Sequence, residues 1–184
     1  MEYLGSVIKG IYRDQLFDAE GVMKQDSGWN NNTIMTSFHT LLARLVTHDT
    51  KLFIQTPSLI MRFGRFSNSW GSSLVVEPAD EKLTAAYTEF VLDETSGLKV
   101  VYLNDNGVEQ ISPSNWVQIT ATLGPNLPVN DVCPLGEFAV YLRWGTPTAN
   151  NPAPDNDHII NHVRHPVISK SATDTLIRQI RFTF

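Results

Sequence analysis

Three stretches of the chain alternate apolar and polar residues with a period of two, the signature of a strand with one buried face. From Trp116 to Leu123, Val117, Ile119, Ala121 and Leu123 fall on one side and Gln118, Thr120 and Thr122 on the other. Phe138, Val140, Leu142 and Trp144 alternate with Ala139, Tyr141 and Arg143 in the same way. At the C-terminus Leu176, Ile180, Phe182 and Phe184 oppose Ile177, Gln179, Arg181 and Thr183, and Arg178 is a charged exception on the apolar side. Shorter strands are expected at Leu59–Gly64, Tyr87–Leu92 and Leu98–Leu103, with one or two more between Tyr3 and Phe17. Turns are expected at Asp18–Gly21, Asp26–Gly28, Asp93–Gly97 and Asn104–Gly107, where Asn, Asp and Gly tolerate the backbone angles of tight reversals.

One segment has a helical period instead. Phe38, Leu41, Leu42, Leu45 and Val46 fall three and four apart, and neither Pro nor Gly occurs from Thr33 to Thr50. The spacing predicts a helix over about 33–48, capped by Asn32 or Thr33 and lying across a face or edge of a sheet. Seven or more strands with one helix and no repeating period define a mainly β chain, a β-sandwich or open barrel forming one domain over 1–184.

Residues 145–157 break the rule of short connections. The run Gly-Thr-Pro-Thr-Ala-Asn-Asn-Pro-Ala-Pro-Asp-Asn-Asp has three prolines and almost nothing to bury. An exposed loop of this length on a rigid scaffold is a natural contact element. Its candidate contact residues are Thr146, Pro147, Asn150, Asn151, Pro152, Pro154 and Asp155.

Charge narrows the function. The 184 residues have a formal net charge of -5, and the 14 Lys and Arg are scattered without a run, which argues against nucleic acid as a partner. No window approaches the length of apolar sequence that a membrane span needs, and the first residues do not read as a signal peptide. The one cysteine, Cys133, has no internal partner and sits between Val132 and Pro134, a setting that suits a small buried apolar residue better than a reactive thiol.

Candidate chemistry is sparse. His158, His162 and His165, with Asp155 and Asp157 nearby, would share one face of a helix and could then hold zinc or iron. Pro166 and the strand-like Val163, Val167 and Ile168 argue for an extended segment. There His158 and His162 stand ~13 Å apart and His165 points to the other face, as surface or interface histidines do. Ser67, Ser69, Ser72 and Ser73 lack the flanking glycines of a nucleophile elbow, and no phosphate-cradling or dinucleotide motif occurs. The adjacent pairs Asp80 with Glu81 and Asp93 with Glu94 diverge on regular structure, so no catalytic site, cofactor or metal is expected. Trp29 and Trp70, in loop-like contexts, are candidate sugar-stacking aromatics, against the commoner role of such rings as core or interface anchors.

The order of segments carries a resemblance. Asn32-Thr33-Ile34 leads into a helix containing Leu42-Ala43-Arg44-Leu45, and an apolar strand ends Met61-Arg62-Phe63-Gly64. Leu135-Gly136-Glu137-Phe138, His158 to Arg164, Pro166 to Lys170 and the closing Ile180-Arg181-Phe182-Thr183-Phe184 follow. Over roughly residues 30–184 this resembles the small β-rich virion structural proteins of tailed bacteriophages, with a strand ending in Phe-Gly and a closing strand pair around a Lys-containing turn. The Pro- and Asn-rich stretch before His158 is longer than that pattern. The resemblance implies a non-enzymatic virion component of tail, baseplate, collar or fibre attachment. Such a component is assembled in the host cytoplasm and contacts other virion proteins and copies of itself. A capsid decoration protein and a carbohydrate-binding adhesion module are the alternatives.

Overall fold

The computed structural model describes residues 8–46, 57–70, 73–80, 83, 86–93, 95–128, 131–144 and 157–184. Twelve strands form two antiparallel sheets that pack face to face as a β-sandwich. The first sheet contains β1 (Lys9–Phe17), β2 (Met23–Asp26), β3 (Asn30–Asn31), β7 (Leu98–Leu103), β8 (Glu109–Gln110), β9 (Trp116–Leu123) and β12 (Thr175–Thr183). Its order is β2-β1-β12-β9-β7-β8, with β3 also paired to β1. The second contains β4 (Thr33–Ile34), β5 (Pro57–Arg65), β6 (Ala86–Asp93), β10 (Cys133–Trp144) and β11 (Asp157–Lys170), in the order β4-β11-β10-β5-β6.

The period-two segments form the middle of both sheets. Strand β12 lies between β1 and β9, and its buried residues Leu176, Arg178, Ile180 and Phe182 face inward. Opposite them, Phe63, Leu135, Phe138, Val140, Val163 and Ile168 line the inner face of the second sheet. Phe138 meets Tyr12 edge to face at a centroid distance of 5.4 Å.

The second sheet is covered on its other face as well. The described residues of the segment that follows β5 lie against it, and Val76 and Leu83 form a smaller core with Ile60, Ala139, Tyr141, Ile159 and Met35. Double coverage explains why β10 is buried from Cys133 to Tyr141 on both faces apart from Pro134, a continuous pattern that alternation alone does not describe. Gly136 is what lets the crossing segment in. A Cβ there would lie 2.4 Å from the Phe66 Cα, and the Phe66 amide donates to the Pro134 carbonyl at 2.8 Å.

The single α-helix of the described residues, α1, runs Thr36–Val46, three residues shorter at its start than its pattern predicts. Residues 47 and 48, the expected end, lie outside the described residues. Thr33 and Ile34 instead form β4 against His162 and Asn161. The Met35 amide donates to the Ile160 carbonyl and the Thr36 amide to the Pro78 carbonyl. Tertiary partners thus take the amides that a cap at Asn32 or Thr33 would have satisfied. Phe38 and Leu41 join the main core, and Phe38 meets the terminal Phe184 edge to face at 6.2 Å.

Replacing Gly136 with Ala forces backbone at Phe66 to move, and unfolding by denaturant should show a loss of about 1–3 kcal/mol. Phe182→Ala removes a buried ring from the closing strand and should cost about 3–5 kcal/mol in the same measurement.

Candidate functional site

The most unusual feature of the interior is ionic. Asp14 on β1 and Arg178 on β12 are direct cross-strand partners with inward side chains, and both are buried. Arg178 donates from Nε and Nη2 to the two Asp14 carboxylate oxygens, at 2.5 and 2.9 Å, a fork-to-fork pair. The guanidinium lies 3.8 Å from the Phe138 ring centre and 5.4 Å from that of Phe63. Cation–π contact therefore replaces part of the hydration that burial removes. Ala121, the smallest inward residue of β9, stands opposite Arg178 and leaves room for it.

His165 completes the cluster from the facing sheet. Its Nδ1–H donates to the Pro166 carbonyl at 2.8 Å, which leaves Nε2 as an acceptor for Arg178 Nη2–H at 2.9 Å. That arrangement requires a neutral imidazole. Burial, with the Arg178 cation adding to it, pushes His165 down to about 4, against smaller opposing effects of Asp14, the Pro166 carbonyl and Glu137.

A second buried pair lies on the opposite face of the second sheet. His162 Nε2–H donates to Glu137 Oε2 at 3.0 Å, with both side chains fully buried. Gly64 on the neighbouring strand makes the space, since a Cβ there would fall 2.4 Å from Glu137 Cγ.

The structure separates the three histidines. A register shift between Val140 and Tyr141 of β10 adds a residue to β11 at Ile160. As a result His162 faces the outer layer, whereas His158, beside Leu142, lines a cleft with Leu41 and Arg44 of α1. Regular alternation from Val163 turns His165 into the core, and a second shift, between Arg164 and Ile168, returns Ile168 to the same inner face. The expectation of surface or interface histidines is therefore wrong for His162 and His165, which are buried. Asp157 is held by Arg62 at 2.7 Å and by Arg143 at 2.7 and 2.9 Å. Among the described residues no group of three His, Cys, Asp or Glu side chains could hold a metal ion.

The two candidate stacking tryptophans differ. Trp70 is buried, with Arg164 over its ring at 5.0 Å and Phe66 against it at 5.4 Å, so it serves as an anchor of the crossing segment. Trp29 is 38% exposed, but Arg181 covers one of its faces at 4.4 Å. The candidate contact residues Thr146, Pro147, Asn150, Asn151, Pro152, Pro154 and Asp155 lie outside the described residues. Cys133 is buried, as its neighbours suggest.

Asp14 and Glu137 carry no sequence motif. The one signal for Asp14 was Arg178 itself: a cation on a strand's apolar side needs a buried acid, and Asp14 shares the spacing of Tyr12 and Leu16.

These features define a two-sheet β-sandwich with an ionic cluster sealed in its core. No family model, no curated protein and no solved structure matches the chain.

Asp14→Asn leaves the Arg178 charge buried without its counter-ion, and denaturant unfolding should show a loss of about 3–5 kcal/mol. Acid should act through His165. Its folded-state pKa lies below the unfolded value, so the unfolded chain takes up a proton first. Stability from this group is complete above about pH 6.5 and is lost as the pH falls toward 4, on the order of 3 kcal/mol in all. Chemical denaturation from pH 7 to pH 4 checks this, and His165→Gln should flatten the part of the curve between pH 6.5 and 5.

Proposed function

We propose that this chain is a non-enzymatic structural subunit that works by packing against neighbouring protein, as a tail, baseplate, collar or fibre-attachment component of a tailed-phage particle. The observation that supports subunit packing best is the free edge of the first sheet. Val100 stands opposite the core residue Ile119 and Tyr102 opposite Val117, on the inward-facing side of the sheet, yet both are exposed. Val108 and Ile111, on either side of β8, are 59% and 100% exposed. Strand β8 covers only Tyr102 and Leu103, and among the described residues no strand pairs with Leu98–Val101 on that side.

An open strand edge beside apolar side chains is a ready surface for another chain. Proteins that stay monomeric blunt such edges, and here the only charges set on it are Lys99 and Glu109, paired with each other at 2.7 Å. The order of segments that resembles small phage virion proteins supports a phage particle as the assembly in which such an edge would be covered. The buried ionic pairs support a non-catalytic reading too, since Asp14 is bound by Arg178 and Glu137 by His162.

Antibody raised against the chain should label the tail tip, collar or fibres of negatively stained particles from the source lysate. Label on the head would assign the decoration role instead, and particles without label would overturn the virion reading. The double variant Val100→Glu/Ile111→Glu should fold normally and lose at least about tenfold in incorporation into particles, read by quantitative immunoblot.

A further inference from the structure

A small cavity opens beside the ionic cluster, between β1 and the bulged part of β11. Its volume is about 190 Å³, well below that of the clefts that take drug-sized ligands. Asp14 and His165 form its floor, Ile168, Pro166 and the Tyr12 ring its apolar wall, and Gln25, Ser27 and Asn30 its rim.

The polar groups around it divide into committed and open ones. Ser27 Oγ accepts from the Asp14 amide at 2.9 Å and donates to the Gly28 carbonyl at 2.8 Å. Asn30 Nδ2 donates to the Ser27 and Gly28 carbonyls, both at 3.1 Å, which fixes the side-chain amide and leaves Oδ1 without a partner among the described residues. Among the described residues the Tyr12 hydroxyl and the Gln25 side-chain amide find no hydrogen-bond partner. The Asp14 carboxylate accepts one bond from Arg178 at each oxygen, and each oxygen keeps a further lone pair. An open hydroxyl, an open carboxamide, an open amide carbonyl and a preset carboxylate thus converge on one small space with an apolar wall.

The charge of the floor selects among ligands. Asp14 and Arg178 neutralise each other, and His165 is uncharged while it accepts from Arg178. An anion would meet the Asp14 carboxylate, and a cation would find that carboxylate already occupied by Arg178. A neutral molecule rich in hydroxyl groups can donate to Asp14 and Asn30 Oδ1, exchange with Tyr12 and Gln25, and lay an apolar ring face on Ile168 and Pro166.

We propose that this cavity binds a neutral, hydroxyl-rich ligand the size of one sugar residue, in a site built from Tyr12, Asp14, Gln25 and Asn30. The site is independent of the exposed edge at β7 and β8 and of both candidate stacking tryptophans. It would give a particle subunit a contact to saccharide in addition to its contacts with protein.

Saturation-transfer NMR on the full chain tests it, with methyl α-glucoside, methyl β-galactoside and N-acetylglucosamine as neutral probes. N-acetylneuraminic acid and glucosamine serve as the anionic and cationic comparisons. At least one neutral probe should bind, and more tightly than either charged one. Tyr12→Phe keeps the ring against Phe138 and should weaken that probe about fivefold, the worth of one hydrogen bond. Gln25 is exposed on β2, so Gln25→Trp can close the cavity mouth without touching the core, and it should abolish the signal with an unchanged melting temperature. Binding of no neutral probe, preference for a charged one, or a signal that survives Gln25→Trp would overturn the proposal.

Discussion

The buried pair of Asp14 and Arg178 constrains this sandwich more than any other contact. Charges taken out of water are tolerated only with close, oriented partners. Here the partners come from three strands in two sheets, so β1, β12 and β11 have one acceptable arrangement. A one-residue slip of β1 against β12 would turn Asp14 to solvent and leave Arg178 alone between Phe138 and Phe63. Apolar residues of similar volume could fill the same space, but they would not penalise that slip so heavily. The ion pair therefore fixes register, whatever its net contribution to stability.

The rest of the interior adjusts to that cluster and to its counterpart on the other face. Ala121 yields space to Arg178, Gly64 yields it to Glu137, and Gly136 admits the segment that seals Glu137 and His162 from water. Two irregularities in β11 do the remaining work. Each adds residues that change which way the following side chains point, so one strand supplies Ile159 and His162 to the outer layer and Val163, His165 and Ile168 to the inner one. A regular strand would turn Ile159 and His162, or His165 and Ile168, to opposite faces, because residues three apart alternate.

The exposed features sit away from this interior. Strands β7 and β8 keep an apolar edge that is partly unpaired among the described residues, while the cavity beside Asp14 lies at the β1 side of the sandwich. A subunit with a rigid, register-locked core can hold two such surfaces apart without either disturbing the other. The proposed protein contact and the proposed saccharide contact would then be separable properties of one scaffold.

Strand positions and the class of fold were legible in the sequence because the period-two pattern reports burial on one face, a local property. Leu98–Leu103 and Trp116–Leu123 coincide with β7 and β9, and Arg178 showed itself as a charge on an apolar row. The start of the helix was not legible, because Thr33 and Ile34 are captured by β11, more than a hundred residues away in the chain. Nor was the fate of the histidines, since a bulge depends on how two strands register and leaves no mark on residue type. The alternation of the closing strand determined that a cation would lie inside. Only the folding of β1 and β11 around β12 decided that Asp14 and His165 would meet it, because hydrogen-bond geometry belongs to positions in space and not to spacing along the chain.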